Sequence, residues 1–164
     1  MKTRLGVWIV LAGLTSAGVG QAIGQTKPNF AGTWKLNLAK TESQMAPTSE
    51  TDTISQTTDE IKVAIVSARE QGTMNYTFAA KLDGSDTPLP ADAFPADSPF
   101  KLLSTKAEWQ GNSLVITQTT SFQDAKGTLQ STYTLSDDGK TLTKATHIKF
   151  DQGEFDSKSV YDKV

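Results

Sequence analysis

Gly32-Thr33-Trp34-Lys35-Leu36 is the stretch on which the fold turns. In an extended chain, residues two apart share a face, so Trp34 and Leu36 point one way and Lys35 the other. The far end of the chain answers with Val160-Tyr161-Asp162-Lys163-Val164, a second aromatic among charged residues. Between the two, Thr, Ser, Val, Ile, Tyr and Phe alternate with polar residues, and no window carries an apolar stripe of period 3.6. Matching first and last strands suggest a sheet closed on itself, with those strands side by side. A small barrel of that kind can hold one small ligand.

Working outward, strands are expected near 32–37, 50–57, 60–69, 73–80, 100–109, 113–122, 128–135, 141–150 and 154–162. Turn residues separate the later ones: Gln110-Gly111-Asn112, Asp124-Ala125-Lys126-Gly127, Asp137-Asp138-Gly139-Lys140 and Asp151-Gln152-Gly153. Asp138-Gly139 is a strong hairpin signal, because glycine accepts the positive φ that a tight turn requires. Short links make sequential strands antiparallel neighbours. The expected fold is therefore all-β, an antiparallel up-and-down barrel of about eight to ten strands, with a sandwich as the alternative that periodicity leaves open.

Residues 1–24 read as a secretory signal peptide. Lys2 and Arg4 precede an apolar run, Leu5 to Leu14, too short to span a membrane, and small residues precede a cut after Gly24, or alternatively after Ala22. Residues 25–164 make one domain, exported to a periplasm or beyond the cell. Loss of Lys2 and Arg4 leaves 14 basic against 18 acidic side chains, a charge of −4. That balance argues against nucleic acid, and no second apolar run predicts a membrane span after cleavage. The chain has no cysteine, which excludes disulfides and thiolate metal sites and leaves the core to hold the fold.

Two stretches interrupt the strands. Residues 38–49 allow a helical turn or two before Pro47. Residues 83–99 hold four of the six prolines and four aspartates, and are expected to be loop, since proline cannot donate to a ladder. The loop is either a lid or a surface excursion without a role. Its aspartates lack the spacing of a calcium loop, so no metal is expected.

Alternation groups Ile61, Val63, Ile65, Ser67 and Arg69 on one face. It does the same for Met74, Tyr76 and Phe78, for Leu114, Ile116, Gln118, Thr120 and Phe122, for Leu129, Ser131, Tyr133 and Leu135, and for Phe155, Ser157, Ser159 and Tyr161. These faces begin apolar and become polar. Either the polar part lines a hydrated cavity, or it caps the barrel in solvent; a shift of register by one residue would exchange the faces. On the cavity reading, Arg69, Tyr76, Phe78, Tyr133, Ser159 and Tyr161 are the ligand-binding candidates. Trp34 is expected to plug the closed end, with Gly32 as its structural partner. No catalytic set is found. His147 is the only histidine, no serine stands in a Gly-x-Ser-x-Gly turn, and no glycine loop cradles phosphate, so neither catalysis nor a cofactor is expected.

Phe30-Ala31-Gly32-Thr33-Trp34-Lys35-Leu36 resembles the first strand of the calycin superfamily, the lipocalins and fatty-acid-binding proteins. Val160-Tyr161-Asp162-Lys163-Val164 is similar to the last strand of the fatty-acid-binding branch. Leu82-Asp83-Gly84 and Ser136-Asp137-Asp138-Gly139-Lys140 resemble turns of secreted bacterial lipocalin-like proteins of unknown function. The resemblance implies a calycin barrel that binds a small hydrophobic or amphipathic ligand without catalysis. The chain departs from it in three places. The fatty-acid-binding branch has two helices where residues 38–49 stand. Its Arg-x-Tyr pair becomes Ser159-Val160-Tyr161. Lipocalins often stack an arginine on the first-strand tryptophan, whereas the cations near this C-terminus are Lys158 and Lys163. The alternative function is an envelope structural or inhibitor-like interaction domain with a filled barrel.

Overall fold

The computed structural model describes residues 26–43, 46–89, 98, 100–123 and 125–164; residues 1–24, expected to be a signal peptide, lie outside them. Ten strands form one antiparallel sheet: β1 Gly32–Leu36, β2 Ser49–Gln56, β3 Glu60–Arg69, β4 Gly72–Lys81, β5 Thr87–Pro88, β6 Phe100–Gln110, β7 Ser113–Phe122, β8 Ala125–Leu135, β9 Thr141–Phe150 and β10 Gly153–Lys163. Their order is β4-β3-β2-β1-β10-β9-β8-β7-β6-β5. Every neighbour except β1–β10 is consecutive in sequence, which is the up-and-down arrangement expected. Sandwich order does not occur.

The two outer motifs meet as their sequences suggest. Trp34 lies opposite Lys163, and Leu36 opposite Tyr161, in the β1–β10 ladder. At the other end of the sheet order β4 touches β6 without a ladder between them, and Gly84 N–H donates to Ala107 O at 2.9 Å across the gap. The result is a nearly closed antiparallel up-and-down barrel. Tight hairpins hold the register; Gly139, at φ +66°, supplies the left-handed residue in the β8–β9 turn.

Alternation sets the inward face. In β3, Ile61, Val63, Ile65 and Ser67 are buried between exposed or half-buried neighbours; in β7 Leu114, Ile116, Gln118 and Thr120 are buried on the same parity, with Val115 between the first two also buried. Phe122, grouped with that face by parity, is 45% exposed because β7 ends there at the rim.

The described residues of 38–49 hold one 3-10 turn, Leu38–Lys40, capped by the Asn37 side chain, which accepts from Lys40 N–H. One expectation is corrected in detail. Stretch 83–99 is not wholly loop, because Thr87 and Pro88 pair with Thr105 and Ser104 as β5. Pro88 is tolerated there because β5 is an edge strand, with its other side free of any ladder. Residues 90–97 and 99, where a lid was considered, lie outside the described residues.

Candidate functional site: a half-filled barrel with a buried ionic cluster

One end of the barrel is solid. Phe30, Trp34, Ile61, Leu114 and Leu142 are fully buried there. The Trp34 indole N–H donates to Phe30 O at 2.8 Å, so the large ring is placed without an unpaired donor. Phe30 stacks on Trp109 at 6.0 Å and meets Tyr133 edge-on at 6.2 Å. Gln56 clamps the entering chain, accepting from Phe30 N–H and donating to Pro28 O. Gly32 has a particular use here. Its φ is +141°, and a Cβ on it would come within 2.7 Å of Lys163 Cε. The missing side chain leaves room for Lys163, whose ammonium lies 5.1 Å from the centre of the Trp34 ring.

Above this floor the interior turns polar. Glu50 and Asp52 share the inward face of β2, and Lys144 reaches them from β9. Lys144 Nζ donates to Glu50 Oε1 at 3.0 Å and to Asp52 Oδ2 at 3.2 Å. The Tyr161 hydroxyl donates to the same Glu50 oxygen at 2.5 Å, and its ring lies 4.7 Å beneath the Lys144 ammonium. The side chains of Lys144 and Glu50 are only 13% and 11% exposed, and that of Asp52 not at all.

Burial and pairing pull these groups apart. Burial alone would raise Glu50, but Lys144 and the Tyr161 hydroxyl outweigh it and hold the carboxyl below its ordinary value. Burial would lower Lys144, but Asp52 and Glu50 keep it protonated well above its usual range. Asp52 loses the competition. Its burial, with Glu50 beside it, outweighs the pull of Lys144 and raises its pKa. Tyr76, Tyr133 and Tyr161 are all raised, chiefly by burial, and stay neutral.

A cavity of about 910 Å³ opens above the cluster. Glu50 and Lys144 form part of its wall, Ile148 and Phe155 its apolar side, and Ala46 and Pro47 part of its border. Glu42 is tied to β10 by reciprocal backbone hydrogen bonds with Lys158 of 2.8 and 2.9 Å. Several inward polar atoms make no hydrogen bond with the described residues: Asp52 Oδ1, Thr105 Oγ1, Gln118 Nε2 and Thr120 Oγ1. Buried polar groups normally find partners, so these mark an interior suited to a polar guest.

The sequence-derived candidates divide between the two halves. Ser159 and Arg69 line the cavity, Arg69 at its exposed rim. Tyr161 belongs to the ionic cluster, and Tyr76 stands partly buried where the charges of Lys144, Glu50 and Asp52 are felt. Phe78 and Tyr133 are packed into the core. Glu50, Asp52 and Lys144 escaped the sequence reading. A signal was present: Lys144 lies two residues from Leu142 and four from Ile148, and Asp52 two from Ile54, so parity placed opposite charges on inward faces of separate strands. Lys144 also sits directly opposite Ser159 in the β9–β10 ladder.

No protein-family model matches the sequence, and no curated protein matches it. Among solved structures, the chain is similar to the zebrafish ileal bile acid-binding protein complexed with cholic acid. The identity is 18% and the TM-score 0.48, over 82% of this chain and 98% of that one. It is also similar to the Schistosoma mansoni fatty acid binding protein in complex with arachidonic acid, at 16% identity and a TM-score of 0.45, over 82% and 96% of the two chains.

Proposed function

We propose that the protein is an exported, non-catalytic binding protein that takes one small amphipathic molecule into the open half of its barrel. The observation that carries this reading is the cavity of about 910 Å³, apolar along Ile148 and Phe155 and ionic at Glu50 and Lys144. Its size falls within the range of small-molecule sites, and an apolar wall with a few convergent polar groups is their usual composition. A barrel kept only for stability or for protein contact would gain by filling this space. Chemistry also favours binding over catalysis. Lys144 is held protonated and the three tyrosines are held neutral, far from the pKa near operating pH that proton transfer requires. Export rests on the pattern of residues 1–24.

Native mass spectrometry of the mature protein from its own host, before and after denaturing extraction, tests the proposal. A reproducible bound small molecule supports it and gives the ligand class. A clean apo mass, together with no uptake of added long-chain alcohol, would shift the reading to an interaction domain.

A further inference from the structure

Building on the binding reading above, we propose that the ligand's polar end is a protonated amine rather than a carboxylate: a cationic amphipath whose ammonium group sits at Glu50 on the cavity wall, with Asp52 buried behind it. The argument begins with the charges around the cavity. Its walls and the cluster behind them carry Glu42, Glu50, Asp52 and Asp156, against Lys144 and Arg69. At the mouth, Lys158 offsets Glu42 at 3.5 Å and His147 lies 2.8 Å from Asp156. Arg69 stands at the exposed rim and has an interaction of its own. Inside, one lysine faces two carboxylates, so the acids are in excess where the ligand's head would come to rest.

A ligand carboxylate would have to share Lys144 with acids already 3.0 and 3.2 Å away. A third anion so close, out of bulk water, is repelled by both. The hydroxyl of Tyr161 is no help to such an anion, because its proton is already given to Glu50. An ammonium group meets the opposite situation. Asp52 Oδ1 is fully buried and accepts no hydrogen bond from the described residues, although it belongs to the same carboxyl that Lys144 touches through Oδ2. An amine brings up to three donors and the positive charge that the second carboxylate lacks. The unpaired atoms continue around the inward face to Thr105, Gln118 and Thr120 on β6 and β7, separate from the acids.

Three probes with one chain length separate the possibilities: dodecylammonium, dodecanol and dodecanoate. Each is titrated calorimetrically into the mature protein at pH 7 and low salt, below its micellar concentration. The amine is expected to bind at least about tenfold more tightly than the carboxylate, with the alcohol between them. Asp52→Asn, nearly unchanged in shape, should lower the amine-to-alcohol affinity ratio about tenfold, and a thermal melt reports whether the variant is folded. Equal or tighter binding of dodecanoate overturns the inference. So does an amine preference that survives in the folded Glu50→Gln/Asp52→Asn double variant. If the alcohol binds and the amine shows no preference, the inference fails while the binding reading stands. If none of the three binds, both fail.

Discussion

The two ends of the barrel are made by the same strands and have opposite characters. β7 enters as Leu114 and Ile116 and leaves as Gln118 and Thr120; β3 passes from Ile61, Val63 and Ile65 to Ser67; β9 passes from Leu142 to Lys144 and Thr146. The closed end buries aromatic and aliphatic side chains with their polar atoms paired. The open half buries an ionic cluster and leaves several polar atoms without protein partners. Unpaired or charged groups inside a protein cost stability. On the binding reading proposed above, the difference is a division of labour within one sheet: one end holds the fold, and the other is kept at some cost in stability for a ligand.

The comparison breaks first at Trp34. Truncating a fully buried large aromatic costs about 3–5 kcal/mol, and Trp34→Ala also strands the acceptor at Phe30 O. Urea unfolding should show this loss, with ligand uptake by the surviving folded protein little changed. A loss under about 1 kcal/mol would mean that the closed end does not hold the fold.

Lys144→Met addresses the other half. It leaves Glu50 and Asp52 facing each other with no cation, which for a buried pair costs about 3 kcal/mol. Adding Glu50→Gln and Asp52→Asn should return most of that loss, since neutral amides need no counter-charge. A single variant as stable as wild type, followed by urea unfolding at pH 7, would show that the cluster behaves as a solvated surface pair rather than an interior one.

What could be read from sequence follows the same division. The closed end announces itself, because Trp34, Leu36, Ile61, Val63, Leu114 and Ile116 alternate with polar residues at period two and turn residues stand between the strands. Most strand boundaries and the pairing of first with last strand were legible for that reason; β8 is an exception, because it begins at Ala125 and takes in Lys126 and Gly127, which were read as turn. β5 was not: a two-residue edge strand containing proline carries no periodicity. The ionic cluster was hidden for a different reason. Lys, Glu and Asp on a strand are ordinarily read as the solvent face, and Ser49–Gln56 has a single large apolar residue, Ile54, to fix which parity points inward. Only the register, with Trp34 opposite Asp52, turns those acids toward the interior. Tyr161 was found because its neighbours resemble a known last strand, whereas its partner Glu50 lies 111 residues away.

pH offers a finer probe of the open half. A carboxyl whose pKa is raised by folding contributes stability that is complete below its unfolded value, 3.8, and that is lost as pH rises through the folded value. Asp52 is such a group. Glu50, lowered by folding, works the other way, and its contribution is present above 4.5 and lost in stronger acid. Wild type should therefore gain stability relative to Asp52→Asn as pH falls from neutral toward 3.8. Relative to Glu50→Gln it should lose stability once pH drops below about 4.5. Denaturant midpoints of the three proteins from pH 3 to pH 8 give both signs. A flat difference between wild type and Asp52→Asn would place Asp52 in contact with solvent.

The smallest effect is the most local. Lys163 is itself exposed, so its cation–π contact with Trp34 is worth about 0.5–1 kcal/mol. Lys163→Met, which keeps the apolar stem and removes the charge, should cost about that much, without change in the cavity's uptake of a ligand. Lys163→Arg should hold or gain a few tenths of a kcal/mol, because a flat guanidinium stacks on an indole where an ammonium only approaches it. The gain depends on Gly32, whose missing Cβ leaves the space that the longer side chain would occupy. In a Gly32→Ala background, which also forces a side chain onto a φ of +141°, Lys163→Arg should give no gain. Were the arginine to stabilise both backgrounds equally, the glycine would serve the backbone alone, and the Gly-x-Trp pairing would not be what seats the cation on the closed end.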